Sequence, residues 1–269
     1  MEAGDVAAAA HVLAAAHKVD FDFGPMLRRN QSLTPQYWWV MVEQEAVVGV
    51  VGATDYGTFA HIGLMAIDPG VQMTGAGTAL FEYCFEGLRA DGFRSITLYS
   101  TDAGLAFYPR FGFRWAGLST EWVLRKRKSI ERRFEVGGNL SRVANWDQDV
   151  FGGDRWRLIE TLDAEAPGRV LVARDPAGTV QGFAVAQPVV IGPFAASSPE
   201  VARDLLDAAL DLDYNASPRV ILPDAHAEGE TLLIAMGFGA FRTSRYFIWG
   251  EAPVQRRGWM YGQGAYSLG

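Results

Sequence analysis

The residues with the clearest capacity for chemistry lie between His61 and Leu80, in HIGLMAIDPGVQMTGAGTAL. Residues 61–67 are an apolar run with one polar member, His61, and read as a buried strand. Asp68-Pro69-Gly70 ends it, because proline lacks an N–H and glycine tolerates positive φ. Gln72-Met73-Thr74-Gly75-Ala76-Gly77 then opens a helix predicted to reach about Asp91. Amides at a helix start have no intrahelical partner, and the helix dipole adds partial positive charge there. The N–H groups of Met73, Thr74, Gly75, Ala76, Gly77 and Thr78 thus make a seat for a phosphate or pyrophosphate, and Gly75 and Gly77 let it come close.

The elements that must position this seat follow from the pattern of the chain. Residues 5–18 read as a helix. Residues 20–33 are loop or a short second helix, and 37–43 with 47–55 form a hairpin. The helix from 75 carries Leu80, Cys84 and Leu88 on one face, joined by Phe81 and Phe85, and ends at Gly92. A strand over 95–100, a short helix over 103–110 and a strand over 113–124 complete the first half. Arg125–Arg133 is a basic run, and a solvated boundary is favoured there over a nucleic-acid patch. The second half repeats the order in weakened form: strands at 169–174, 180–187 and 189–194, a helix from Ser198-Pro199-Glu200, a strand at 219–222, a helix at 229–236 and a closing strand at 240–249. Tyr108-Pro109-Arg110-Phe111-Gly112-Phe113 and Ile234-Ala235-Met236-Gly237-Phe238 both end on Gly-Phe, which points to internal duplication.

Composition narrows the classes. The 269 residues are 49% hydrophobic and carry a formal net charge of −7, which fits a packed protein and argues against general nucleic-acid binding. One cysteine, Cys84, excludes an internal disulfide and a multi-cysteine zinc site. The alanine-rich opening lacks a basic leader, and the apolar runs fall short of a membrane span, so a cytoplasmic protein is expected.

Gln72-x-x-Gly75-x-Gly77 after a strand, followed by Ala106-Phe107-Tyr108-x-x-Phe111-Gly112-Phe113, resembles the GNAT acyltransferase superfamily. Ile191-Gly192-Pro193-Phe194 and Ser198-Pro199-Glu200 resemble the degenerate C-terminal half of tandem members. The resemblance implies an α/β fold of two mixed-sheet GNAT domains packed as a pseudo-dimer. The first domain would span 1–128 and bind acetyl-CoA. A linker would follow over 129–150, and a second domain over 151–269 would shape the acceptor pocket. It also implies that Gln72–Thr78 hold the pyrophosphate and that Met65, Ala66 and Ile67 line the pantetheine. His61 would sit where some members carry a glutamate base, and Tyr108 would be the acid that protonates the departing thiolate. Thr74 departs from the arginine or glycine often found there. The second half has no such glycines, and Glu200 puts a carboxylate where the anion would lie, so only the first half is expected to bind CoA.

The acceptor is less defined. Asp22, Asp55, Glu121 and Asp224 are the acidic residues near the predicted cleft, and as a set they would suit an ammonium-bearing substrate. Trp38, Trp39, Tyr56, Trp115 and Trp122 are aromatics beside it, and His226 and the tail with Tyr261 and Tyr266 are expected at the domain interface. The expectation is N-acetylation of a small polar amine, an aminoglycoside-type antibiotic such as kasugamycin being the leading case, with resistance as the consequence. Amino-acid or pseudo-disaccharide acylation, as in mycothiol-synthase-like proteins, is the alternative, and a non-catalytic acyl-CoA-binding or sensing protein the reading from another class. Neither a metal, a nucleic acid nor a membrane is expected, and the chain would be a monomer with internal pseudo-symmetry or a weak homodimer.

Overall fold

The fold is described by a computed structural model covering residues 1–33, 36–128, 130–223 and 226–269. Two helices, α1 (Val6–His17) and α2 (Gly24–Ser32), precede β1 (Gln36–Glu43), β2 (Ala46–Asp55) and β3 (Ala60–Ile67). The first half continues through α3 (Ala76–Ala90), β4 (Ser95–Ser100) and β5 (Arg114–Leu124). The second holds β6 (Glu135–Gly137), α4 (Val143–Phe151), α5 (Trp156–Glu165), β7 (Val170–Arg174), β8 (Val180–Ala186) and β9 (Ile191–Ala196). It ends with α6 (Pro199–Ala209), β10 (Arg219–Pro223), α7 (Ala227–Ala235), β11 (Phe238–Gly250) and β12 (Met260–Gly262).

The apolar stripe of α3 buries as its spacing requires: Leu80, Phe81, Cys84, Phe85 and Leu88 are all covered. They meet Ile62, Ile96, Leu98 and Phe113 of the first half, and also Phe247 of β11. That last residue comes from the far half of the chain. The seven-stranded sheet runs β1-β2-β3-β4-β11-β5-β10, so β11 lies between β4 and β5, and β5 lies between β11 and β10. Each half has given its last strand to the other. The remaining strands form a second sheet, β12-β9-β8-β7-β6.

Residues 129–150, read from sequence as a linker, carry more structure than that. Glu135 pairs with Arg174, so β6 edges the second sheet, and α4 buries Val143, Val150 and Phe151. Phe151 packs against Tyr56 and Phe59 from the β2–β3 turn, a second interlock of the halves. Two residues of the basic run are paired within the chain, Arg127 and Arg132 with Asp207 and Asp211 on and after α6. No helix among the described residues is long and apolar enough to cross a membrane.

Burying one large apolar side chain contributes about 1.5–3 kcal/mol, against a net stability of about 5–15 kcal/mol for a whole domain. On β11, Tyr246, Phe247 and Ile248 are all buried in the sheet it completes for the other half. The two halves are therefore expected to unfold in one cooperative thermal transition. Residues 1–128 expressed alone should show no cooperative melt by calorimetry, because β4 and β5 lack the strand between them. Two separated transitions in the full chain would show that the exchange does not couple the halves.

Candidate active site

β3 and β4 are parallel but pair only at Ala60–Ile96, His61–Thr97 and Ile62–Leu98. Beyond Ile62 the register of β3 on β2 shifts, and Leu64 takes a left-handed φ of 53°. A bulge of this kind bends its strand and ends the pairing. The parted strands wall a cavity of about 450 Å³. Ile62, Gly63, Leu64 and Met65 form one wall, and Tyr99, Ser100, Thr101 and Tyr108 the other. His17, Val19 and Phe23 from the α1–α2 region, Arg242 and Ser244 of β11, and Tyr266 and Ser267 of the tail complete it.

The anion seat lies beside this gap. Gly75 precedes α3 with φ 98°, and Thr74 Oγ1 accepts from the first helical amide, Ala76 N–H, at 3.4 Å. A Cβ at Gly77 would sit 3.5 Å from Ile67 Cγ1, an ordinary contact, so packing does not demand glycine there. Its absence of a side chain leaves the helix start bare, as a close-lying anion requires. Thr74 Oγ1 donates to the Val71 carbonyl at 2.8 Å, and Met73 is fully exposed. Gln72 Nε2 donates to the Ile67 carbonyl at 3.0 Å. Asp68 N–H donates to Val48 on β2, so by alternation the polar groups of Ile67 face away from β2, toward the gap. Gln72 thus takes a carbonyl that β2 leaves unused. Of the three β3 residues assigned to the donor, Met65 lines the cavity. Ala66 packs with α1 and Ile67 with α3, so these two offer main chain only.

Tyr108 lies at the cavity wall, its ring packed on Phe81 and Phe107 at 5.3 and 5.2 Å between centroids. Burial, with Cys84 as a second cause, pushes its phenol up to about 12, which keeps a proton on the oxygen at neutral pH. Its hydroxyl has no hydrogen-bond partner among the described residues.

His61 requires a correction. It is wholly buried and belongs to the small space beneath the tail, not to the cavity. Nε2 donates to the Tyr266 carbonyl at 2.9 Å, and Nδ1 accepts from Thr97 Oγ1 at 2.8 Å. Burial lowers its pKa to about 4. With both nitrogens engaged and its ring outside the cavity lining, it holds the tail rather than acting as a base.

The acidic set is not gathered either. Asp22 accepts from Gly24 N–H and Asp55 from Gly57 N–H, so both are turn carboxylates. Glu121 is buried between Arg219 and Arg242, and Asp224 lies outside the described residues. None of the first three lines the cavity, nor do Trp38, Trp39, Tyr56, Trp115 or Trp122. His226 caps α7 by accepting from Gly229 N–H at 3.0 Å and packs on Tyr261. No group of His, Cys, Asp and Glu among the described residues could hold a metal.

Two family models, each described as an acetyltransferase (GNAT) domain, match the sequence at residues 25–122 and 143–262. The chain belongs to the GNAT acetyltransferases. Among solved structures it is similar to an acetyltransferase described as putative from Pyrococcus horikoshii, at TM-score 0.89 and 21% identity over 100% of this chain and 94% of that one. A GCN5-related N-acetyltransferase from Sphaerobacter thermophilus matches at TM-score 0.70 and 15% identity, over 96% of each chain. A tandem GNAT protein from the clavulanic acid biosynthesis pathway matches at TM-score 0.65 and 14% identity, over 95% of this chain and 98% of that one. No curated protein matches the sequence.

In this tandem GNAT chain the two halves answer the same geometry differently. β9 and β10 stand where β3 and β4 stand in the first half, and they too are linked by a parallel bridge, Val190–Arg219. Their gap is filled by β12, which pairs with β9 and then donates Gln263 N–H to Ile221 of β10. At the start of α6, Ser198 caps and Glu200 occupies the first turn, its carboxyl held low by its own amide and the Ser198 side chain. The second gap is taken by the chain itself, and the start of α6 carries its own cap and carboxylate.

Sequence reasoning missed His17, Tyr99, Ser100, Arg242, Ser244 and Ser267. Only the tail offered a signal, through Tyr266. Gly63 explains how the tail reaches the site: a Cβ there would stand 2.4 Å from the Ser267 carbonyl oxygen.

The pH dependence of folding tests the correction at His61. Below the ordinary histidine pKa of about 6.5 the unfolded chain takes up a proton that the folded chain refuses until pH falls to about 4. Its contribution is therefore full above pH 6.5 and declines through that window by about 1.4 kcal/mol per pH unit. Urea melts of His61→Gln should show a correspondingly shallower loss from pH 6.5 to 4 than the unaltered chain, whereas parallel losses would contradict a neutral buried imidazole.

Proposed function

We propose that this GNAT protein transfers an acetyl group from acetyl-CoA to the primary amine of a small polar molecule, by direct attack in a ternary complex. The observation that carries the reading is the gap between β3 and β4, open beside the glycine-led start of α3 and walled by Tyr108. The α3 start would hold the donor's pyrophosphate, and the edge of β3 from Met65 to Ile67 would hold its pantetheine. A main-chain N–H there would stabilise the negative charge that develops on the thioester oxygen. Tyr108 Oη, protonated at neutral pH, would give its proton to the departing thiolate. With His61 removed from the base role, His17 is the imidazole among the described lining residues. Its side chain is exposed, but desolvation beside the wall, and then the Arg242 charge, lower its pKa, so it is neutral and able to accept the amine proton.

The hydroxyls of Tyr99, Ser100, Thr101, Ser244 and Ser267 suit a polar acceptor, which is the remaining support for an aminoglycoside such as kasugamycin and for a resistance role. An amino-acid-like acceptor is the second reading, favoured by Arg242 at the cavity wall. A polypeptide is disfavoured because residues of the tail and of the second half complete the cavity wall and narrow it. We take the protein to act in the cytoplasm, where the donor is made, as a pseudo-symmetric monomer or a weak homodimer.

Thiol release from acetyl-CoA with a panel of amines tests the reaction, and a protection assay in cells challenged with kasugamycin tests that acceptor. Tyr108→Phe should lower kcat by about 10²- to 10⁴-fold while leaving the affinity for acetyl-CoA nearly unchanged. An unaltered kcat would remove the tyrosine from the acid role. Acetyl-CoA binding without turnover on any amine would favour a sensing protein instead.

A further inference from the structure

The cavity wall has a sign of charge. Among its described lining residues there is no aspartate or glutamate, and Arg242 is the one permanently charged side chain. Its placement is built into the sheet. On β11 and β5, Arg242 stands opposite Glu121 and Ser244 opposite Ser119, so all four side chains share one face. A bulge at Phe241 sets this parity: Ala240 pairs with Trp122 and the next pairing skips to Arg242. Without the extra residue, an exposed phenylalanine would face Glu121 instead.

Glu121 is 2% exposed and accepts from Arg242 Nε at 2.5 Å and from Arg219 Nη1 at 2.7 Å. One carboxylate against two guanidiniums leaves one positive charge in excess. Arg219 lies outside the cavity, over the Phe241 ring at 5.7 Å. Arg242 reaches the cavity beside the Tyr266 ring, and its two terminal nitrogens hold no hydrogen bond to any described residue. A guanidinium fixed through Nε by a buried carboxylate keeps a preset pair of donors for a planar oxyanion.

We propose that the acceptor carries a carboxylate beside the amine that is acetylated, as an amino-acid-like molecule does. Arg242 binds that carboxylate, and Glu121 is the positioning residue that holds Arg242 at the cavity. The proposal rests on the acetyl-transfer reading above, and its test separates the two.

The full chain is titrated calorimetrically with L-leucine, L-phenylalanine, L-lysine and L-glutamate and with the carboxamide of each, and thiol release from acetyl-CoA is followed separately with the same compounds. At least one acid should bind roughly tenfold or more tightly than its carboxamide. In Arg242→Gln that preference should vanish, with carboxamide affinity within about twofold of the unaltered chain. Arg242→Lys, which keeps the charge but not the fork, should recover part of it. A purely structural arginine would lower both affinities together. Equal binding of acids and carboxamides, no binding of any acid, or a preference that survives Arg242→Gln overturns the proposal. An acid preference without thiol release leaves the carboxylate assignment standing and removes the acetyl-transfer reading; thiol release with acids and carboxamides alike does the reverse.

Discussion

Parallel strands β3 and β4 stay paired for three residues and then part, and the first half of the protein is arranged around that parting. Main-chain donors and acceptors on the separated edges need partners, because unpaired polar groups away from water are costly. Gln72 satisfies the Ile67 carbonyl from the loop that leads into α3. The left-handed turn at Leu64 and the register shift opposite it keep β3 from closing back onto β4. The gap therefore persists as a cavity, and the glycine-led start of α3 lies at its side.

The same parting in the second half has a different outcome because the chain supplies its own strand. β12 enters between β9 and β10, and Glu200 sits in the first turn of α6. Duplication of the fold thus coexists with a slot that is open in the first half and filled in the second. The exchange of β5 and β11 binds the two halves into one sheet, which lets residues of the second half, Arg242 and Ser244, serve a cavity of the first. The tail is fixed across the junction by Tyr56 to the Leu268 carbonyl, Gln263 to Tyr99, and His61 to the Tyr266 carbonyl.

Net charge is a poor guide to the sign of a site, and this chain shows why. The molecule carries −7 overall, yet many of its carboxylates are spent locally. Asp22 and Asp55 accept from turn amides, Asp207 and Asp211 hold the basic run, and Glu121 is enclosed by arginines. What reaches the cavity wall is the guanidinium that Glu121 positions. Burial acts in the same local way on titration, holding Tyr108 protonated and His61 neutral at the same pH.

The sequence by itself determined features governed by neighbours a few residues apart. The α3 stripe from Leu80 to Leu88, the cap at Ser198, the strand break at Asp68-Pro69-Gly70 and the doubled order of elements all follow from local periodicity and backbone preference. The glycine-led start of α3 at Gly75 and Gly77 belongs with them, since a helix start needs no distant partner to form. Tertiary structure decided which strands lie side by side and which face each one shows. His61 read as available because nothing near it in the chain reveals that Thr97 and the Tyr266 carbonyl close on its ring. Glu121 read as a cation holder because its arginines lie 98 and 121 positions away. Arg242 drew no notice because its face depends on one inserted residue, Phe241, and on the placement of β11 beside β5. Side chains alternate along a strand with a period of two, so a bulge or an exchanged partner reverses what each position faces, and the one-dimensional pattern cannot register that reversal.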